Sequence, residues 1–209
     1  MADQNYITAY AKIRAGKVIL NGETGYSANT EEPAADFVKA AYKHYEFNYP
    51  KFYKMDQLCR LAFVCSELLL RANKITANYA TGDIAIIVAN NAASLEIDTE
   101  HQSTIADANN YFPSPAVFVY TLPNILIGEI AIRNSIKGEN TFFIFDTFDA
   151  RFMNSYIQSV LNTGKAKCCI AGWVDFYENK YDAFLYTVEQ TNKGLGIVHT
   201  EEQLNNLYK

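Results

Sequence analysis

The stretch Asp83-Ile84-Ala85-Ile86-Ile87-Val88-Ala89 consists of one acidic residue and a continuous apolar run that is rich in β-branched side chains. A run of this kind is typical of a strand buried on both faces, as in a parallel sheet that helices cover on each side. Three later runs have the same character and predict further strands of one sheet: Thr141 to Phe145, Cys168 to Val174 and Ala183 to Val188.

Helical patterns separate these runs. Between Met55 and Ala72, apolar residues recur at helical spacing. A second helix is predicted to start near Asn124 and to end just before Gly138, which would serve as its C′ residue. Within that helix, Glu129 and Arg133 are predicted to form an i, i+4 pair on the exposed side.

A third helix is predicted after Asp149, whose carboxylate can accept a hydrogen bond from the first helical turn. The N-terminal part has a different pattern. Ile7 to Ile13 and Lys17 to Leu20 predict a hairpin, and the polar stretch Asn21 to Glu32 predicts a loop. Because strands alternate with helices and no linker interrupts them, we expect one α/β domain over residues 1–209, with a mixed, mostly parallel sheet layered with helices.

The composition excludes several classes of protein. Apolar residues make up 49% and charged residues 20% of the 209 residues, which is normal for a globular protein with a substantial core. The net charge is −5 and no basic run is present, so nucleic-acid binding is not expected. The longest apolar stretch, Ala116 to Ile136, contains Pro123, Glu129 and Arg133, so we expect no membrane span. The start Met-Ala-Asp-Gln-Asn-Tyr has neither a basic nor an apolar region, so we expect no secretory signal.

The four cysteines do not have the spacing of a disulfide framework or a zinc site. Cys168 and Cys169 are neighbours in a predicted strand, so their side chains should point to opposite faces of the sheet. Reduced thiols of this kind fit a cytoplasmic protein. The three histidines lack ligand spacing and no glycine-rich phosphate loop follows a strand, so we expect neither a metal nor a cofactor.

Four segments together carry a family resemblance. Phe112 to Asn124 (Phe-Pro-Ser-Pro-Ala-Val-Phe-Val-Tyr-Thr-Leu-Pro-Asn) places a Ser-Pro stretch ahead of a Leu-Pro-Asn helix start. Tyr53 to Asp56 opens a helix, and the small-residue stretch Ala89 to Ser94 follows a strand. Between Val160 and Asp175 a helix, a glycine and a strand follow one another. In order and spacing, residues 55–175 resemble the N-terminal half of a β-ketoacyl synthase (3-oxoacyl-ACP synthase) of the thiolase-like superfamily.

The resemblance implies a thiolase-like half in which the nucleophile lies at the tip of a strand, where a buried helix begins. A helix N-terminus at that place lowers the pKa of a thiol. The corresponding turn here is Phe145 to Asp149, and counting back from Gly164 places Thr147 at the nucleophile position, flanked by Asp146 and Asp149. Cysteine is absent from this turn, and a threonine hydroxyl without an adjacent base is a poor nucleophile.

The resemblance also implies a function. In a complete synthase the basic residues come from a second half, which we expect this chain to lack. The leading hypothesis is a non-condensing subunit of fatty-acid- or polyketide-type biosynthesis that binds a complete ketosynthase or an acyl carrier protein. The chain also resembles short synthase-like proteins of aryl-polyene and flexirubin-type pathways. A homodimer or heterodimer is expected to form strand to strand along Thr141 to Phe145.

Two other functions stay open. Thr147 or a nearby carboxylate could serve an active acyl transferase or hydrolase. Alternatively, Phe145 and Phe148 could line a pocket that binds an acyl chain. Phe118 is also a candidate for such a pocket, but we expect its ring to fill the core instead.

Overall fold

A single mixed sheet runs through the described part of the chain, which comprises residues 4–28, 32–109 and 111–209 of a computed structural model. The strands are β1 (Tyr6–Arg14), β2 (Lys17–Leu20), β3 (Glu23–Ser27), β4 (Ile84–Asn90), β5 (Asn140–Ile144), β6 (Cys168–Tyr177), β7 (Lys180–Glu189) and β8 (Ile197–Val198). They are arranged in the order β3-β2-β1-β7-β6-β4-β5, with the short β8 paired to β1.

Parallel pairing is confined to one side of the sheet, where β4 pairs with both β5 and β6. The other neighbouring strands are antiparallel. The α/β class and the mixed sheet are confirmed, but the parallel share is smaller than the sequence indicated. Two-residue turns explain the difference, because Ala15-Gly16 and Glu178-Asn179 have positive φ at every residue and join antiparallel strands.

Helices cover both faces of the sheet. They are α1 (Ala34–His44), α2 (Gln57–Asn73), α3 (Ile75–Asn78), α4 (Leu95–Ile105), α5 (Pro115–Phe118), α6 (Ile125–Asn134), α7 (Ala150–Asn162) and α8 (Glu201–Tyr208). One hydrophobic core lies between the sheet and the helices α1 to α6, and a second lies between the opposite face and the helices α7 and α8. The domain therefore has three layers, with the sheet in the middle.

Strand β4 is buried along its whole length, as its apolar run predicted. Alternate residues of the central strands enter opposite cores because successive side chains of a strand point to opposite faces. Cys168 enters the core beneath α2, and Cys169 enters the core beneath α7. The predicted opposite orientation of this cysteine pair is confirmed.

Strand β5 is the outermost strand on the parallel side of the sheet. The sequence predicted a buried strand from Thr141 to Phe145, but the strand Asn140–Ile144 is half-buried, and Ile144 is 56% exposed. The expected strand-to-strand pairing along Thr141 to Phe145 requires an edge strand, and β5 has that position, but the expected burial of the strand on both faces is wrong. Its outer edge carries no paired strand in the part of the chain that the structure describes.

Two elements differ from the sequence expectation because they bury little apolar surface. The predicted loop Asn21 to Glu32 contains β3, an edge strand whose residues are mostly exposed. Helix α4 was not predicted, since Ile97 alone of its side chains is buried and the hydrophobic periodicity is therefore weak.

The end of α6 is also corrected. The helix ends at Asn134, and Ser135 adopts the left-handed conformation that Gly138 was expected to supply. Gly138 instead packs against the backbone carbonyl of Ile84, where a Cβ atom would collide with that oxygen. Glycine is therefore needed here for close packing on β4 rather than for ending the helix.

The predicted surface pair of Glu129 with Arg133 is wrong. Glu129 is buried, accepts a hydrogen bond from the Tyr120 hydroxyl at 3.2 Å and forms an ion pair with Lys51 at 2.8 Å. Arg133 instead pairs with Glu67 at 3.4 Å. Both ion pairs therefore join α6 to neighbouring elements, because this side of α6 packs against α2 rather than facing water.

Across residues 4–28, 32–109 and 111–209, the helices are too short or too polar to cross a membrane.

Candidate functional site

The three parallel-paired strands β4, β5 and β6 have their carboxyl ends together at one end of the sheet. In α/β folds functional groups gather at the carboxyl ends of the strands, because loops from several strands converge there. The turn Phe145 to Asp149 leaves β5 at this end of the sheet and leads into α7. This turn carries the site residues that the sequence predicted.

A polar frame holds the turn in place. The side-chain amide of Asn91 donates to the backbone carbonyls of Phe145 and Asp146, at 3.3 and 3.2 Å. The carboxylate of Asp175, on β6, accepts hydrogen bonds from the backbone amides of Asn91 and Ala92 at 3.1 and 2.9 Å. Residues from all three strand ends are thereby linked in one network.

Asn91 and Asp175 were not identified by sequence reasoning. The two residues are far apart in the chain and meet only because β4 and β6 are neighbours. A usable signal was present in the polar pair Asn90-Asn91, which directly follows the apolar run ending at Ala89. Asn90 is itself fully buried and bonds through its side chain to the backbone of Ala93 in both directions.

Thr147 is exposed at the middle of the turn. No hydrogen bond joins its hydroxyl to another side chain among the residues that the structure describes. The flanking carboxylates serve other purposes or point to water: Asp149 accepts a hydrogen bond from the Phe152 amide at 2.8 Å, and Asp146 is exposed. The predicted cap at Asp149 is confirmed.

A shallow cavity of about 540 Å³ lies beside the turn. Its walls are the turn itself, the start of α7, and Glu201 and Asn205 of α8. Carboxylates, an arginine and an amide dominate the lining, so the cavity is suited to water or a polar group. A long apolar chain would find few contacts there.

The two predicted pocket rings both touch this cavity but belong to different aromatic groups. Phe148 is buried against the rings of Phe184 and Tyr208, at centroid distances of 5.6 and 4.6 Å. Phe145 stacks with Phe143 at 5.7 Å and meets Phe152 edge-on at 4.9 Å. The rings thus support the core and the sheet edge respectively.

The second of these groups, here called the edge ring cluster, comprises Phe143, Phe145, Phe152 and Tyr156. All four rings are half-buried. The Tyr156 hydroxyl lies 3.1 Å from the hydroxyl of Thr141, which fixes the cluster to β5. An apolar, partly exposed surface therefore borders the free edge of β5 on the α7 side.

The other predicted candidates lie away from the turn. All four cysteines are free and buried, and burial raises the pKa of the Cys65 thiol to about 12. Phe118, which we expected in the core, is 60% exposed and lies 5.4 Å from the ring of His101. His199 is buried, and burial lowers the pKa of its imidazole to about 4. In residues 4–28, 32–109 and 111–209, no three His, Cys, Asp or Glu side chains are grouped as metal ligands would be.

No family model matches this chain. No curated protein matches it either.

Solved structures match it over most of its length. A chain of the ishigamide ketosynthase/chain length factor is 16% identical with a TM-score of 0.65, and the alignment covers 90% of this chain and 62% of that one. A structure of a type II polyketide synthase acyl carrier protein in complex with its ketosynthase, bound to the hexaketide, is 13% identical with a TM-score of 0.61, covering 90% and 63%. A ketosynthase in complex with its chain length factor from Xenorhabdus doucetiae is 14% identical with a TM-score of 0.58, covering 90% and 79%.

This chain spans less than two thirds of the length of the first two of these chains. At such low identity the similarity shows the fold alone. The chain has the thiolase-like α/β fold of ketosynthases and chain length factors, in agreement with the resemblance of its sequence.

Proposed function

We propose that this chain is a non-condensing β-ketoacyl-synthase-like subunit of fatty-acid- or polyketide-type biosynthesis, which acts by pairing with a complete ketosynthase. The observation that carries this proposal is the turn between β5 and α7. Thr147 stands at the predicted nucleophile position, is exposed, and has no side chain bonded to its hydroxyl among the described residues. Condensation needs an activated nucleophile, which this turn does not supply.

The free edge of β5 is the proposed contact with the partner. The hydrogen bonds from Phe145 N to Asn90 O and from Ile86 N to Glu139 O show which residues of this strand direct their backbone groups toward β4. Residues 139, 141, 143 and 145 therefore direct their backbone groups toward β4, and residues 140, 142 and 144 direct theirs outward. Unpaired backbone groups on an edge favour the addition of another strand.

The surroundings of this edge suit a protein partner. The edge ring cluster offers apolar area that a partner can cover, and large rings contribute strongly to interfaces. No charged residue occurs between Asn140 and Phe145, so charge repulsion does not oppose pairing. Two of the structural neighbours are described as ketosynthases with a chain length factor, which is the kind of assembly we propose.

We further propose that an acyl carrier protein serves the assembled complex and delivers its acyl group to the ketosynthase subunit. One structural neighbour is a ketosynthase in complex with its acyl carrier protein. An aryl-polyene or flexirubin-type pathway is the setting that the sequence resemblance favours. A cytoplasmic location agrees with four free, buried thiols.

One observation favours a different function. Three carboxylates, from Asp146, Asp149 and Glu201, line the cavity beside Thr147, and a carboxylate can act as a general base. An acyl transferase or hydrolase would use Thr147 as its nucleophile. A role as an acyl-chain binder has weaker support, because the cavity that Phe145 and Phe148 touch is mostly polar.

The test is reconstitution with the complete ketosynthases of the same genome, an acyl carrier protein and labelled malonyl groups. We expect a stable complex with one ketosynthase, and product that requires both subunits. Thr147→Ala should leave product formation within about twofold of the wild type, because the hydroxyl takes no part in the chemistry. A loss of product in that variant, with the complex intact, would favour the enzyme over the non-condensing subunit.

A further inference from the structure

Three buried side chains near the start of α8 carry polar atoms that have no hydrogen-bond partner among the residues that the structure describes. They are Asn5 at Oδ1, Tyr186 at its hydroxyl and His199 at both ring nitrogens. Each of the three residues is more than nine-tenths buried. The backbone amide of His199 donates to the carbonyl of Asn5 at 2.9 Å, and the centroid of its ring lies 5.9 Å from that of Tyr186. These residues are here called the unpaired cluster.

The unpaired cluster makes the packing around the start of α8 less favourable than that of an apolar core. A buried donor or acceptor without a partner has lost its hydrogen bonds to water and has gained none in return. His199 directly precedes Thr200, whose side chain caps α8. A movement of α8 away from the domain would therefore let water reach the cluster and form hydrogen bonds with it.

Few contacts hold α8 on the domain. Among the eight residues of the helix, Leu204 alone is buried. The helix packs mainly on α7, and polar contacts at its C-terminal end join it to the sheet. Lys12 donates to the backbone carbonyl of Leu207 at 2.9 Å, and the Tyr208 hydroxyl donates to Asp182 at 2.6 Å. A short helix that buries one side chain is the kind of element that opens locally while the rest of a domain stays folded.

Helix α8 also supports the turn between β5 and α7. The ring of Tyr208 packs on that of Phe148, with centroids 4.6 Å apart. Glu201 and Asn205 form one wall of the cavity beside the same turn. When α8 leaves, Phe148 loses a packing partner and the cavity loses this wall. The position of α8 and the shape of the turn are therefore linked by direct contact.

We propose that α8 is a movable cover of the core beneath α7 and α8, that the unpaired cluster favours its opening, and that opening loosens the turn Phe145 to Asp149. In the open form the polar groups of the cluster are hydrated, and the sheet and α2 stay folded. Because the turn continues from β5, the closed cover holds this edge in the form that binds the ketosynthase, a consequence that rests on the proposed function. The cover thus gives the subunit a means to regulate its assembly.

Native-state hydrogen exchange, read residue by residue in the wild type and three variants, tests the cover. Tyr186→Phe removes the unpaired hydroxyl and keeps the ring. Tyr42→Phe is the matched control, because the buried Tyr42 hydroxyl donates to the Tyr49 carbonyl at 3.2 Å and accepts from the Tyr49 amide at 2.7 Å. Leu204→Ala removes the one buried side chain of α8.

We expect Tyr186→Phe to slow exchange of the α8 amides about fivefold, because the closed form no longer buries an unpaired hydroxyl. The same atomic change in Tyr42→Phe should speed exchange of the α2 amides, because it removes a hydroxyl that is bonded. Leu204→Ala should speed exchange of α8 about tenfold or more, and residues 147–150 should follow by a similar factor. Saturation of the wild type with ketosynthase should slow α8 exchange about tenfold or more, because the partner binds the closed form.

Unchanged or faster α8 exchange in Tyr186→Phe would overturn the inference, because the hydroxyl would then be unaffected by opening or bonded in the closed form. Faster exchange of α8 in Leu204→Ala without a change in residues 147–150 would disprove the link to the turn. Bound ketosynthase that leaves α8 exchange unchanged would disprove the regulation of assembly. If the wild type binds no ketosynthase, the proposed function fails, and the exchange of the variants still decides whether α8 is a cover.

Discussion

The side-chain amide of Asn91 lies 3.2 Å from the backbone carbonyl oxygen of Asp146 and donates a hydrogen bond to it. This contact joins the loop after β4 to the turn before α7. Asp175, on β6, accepts two hydrogen bonds from backbone amides of the same loop. The turn thus keeps a defined shape through groups that do not involve Thr147.

Asn91→Ala should loosen the turn. The variant loses two hydrogen bonds, so the free energy of unfolding should fall by about 1 kcal/mol, and amide exchange should accelerate across residues 146–150. Hydrogen exchange read by mass spectrometry checks this. Asn206→Ala is the control, because Asn206 is exposed on α8. Unchanged exchange in the turn of Asn91→Ala would show that the turn does not depend on this amide.

Ile144→Pro and Ile144→Ala separate strand addition from side-chain contact. Both variants lose the exposed side chain, but only proline removes the outward backbone donor that a partner strand would use. We expect Ile144→Pro to abolish assembly and Ile144→Ala to weaken it by less than about tenfold. Analytical ultracentrifugation with the partner measures both. Equal behaviour of the two variants would argue against pairing through the backbone of β5.

His199 should make stability depend on pH. Burial lowers the pKa of its imidazole to about 4 from an ordinary value of 6.5. The unfolded chain therefore binds a proton as the pH falls through 6.5, whereas the folded chain binds it only near pH 4. In this interval the unfolded state holds more protons, so the free energy of unfolding falls as the pH drops.

The contribution of His199 is about 3 kcal/mol between these two values, by the usual energy of a shifted pKa. His199→Phe should remove this part of the pH dependence, since phenylalanine does not titrate and can pack against the ring of Tyr186. Urea unfolding of both proteins across this pH range gives the comparison. A slope that is the same in both proteins would show that His199 is not responsible.

Tyr208→Phe should weaken the attachment of helix α8 to the sheet. The Tyr208 hydroxyl donates to Asp182 at 2.6 Å, and Arg14 pairs with the same carboxylate at 2.9 Å while also donating to the backbone carbonyl of Tyr208. Losing a hydrogen bond to a charged group should cost about 1.5 kcal/mol. Exchange of the α8 amides should rise, and that of the α2 amides should follow global stability alone. Protection of α8 equal to the wild type would contradict this role.

The sequence predicted the parts of the fold that depend on local chemistry. Strand β4 was found because its apolar run can be satisfied only by burial on both faces. The cap at Asp149 was found because a carboxylate before a helix has a local partner in the first turn. Strand β3 and helix α4 were missed, because each buries too little apolar surface to leave a pattern.

Features that depend on contacts between residues far apart in the chain could not be predicted from a single sequence. Glu129 and Arg133 have the spacing of a surface pair, yet each bonds to a different element, which only the packing of α6 on α2 determines. The meeting of Asn91 with Asp175 depends on the order of the strands. Phe118 was expected in the core because a ring is usually buried, and its exposure could be seen only in three dimensions.

Native mass spectrometry of this chain, co-expressed with a complete ketosynthase and incubated with acyl carrier protein loaded with an acyl group, tests the proposed pairing. We predict a complex of one copy of each subunit, with the acyl adduct on the ketosynthase subunit and none on this chain. An acyl adduct on this chain, or the absence of any complex between folded proteins, would contradict it.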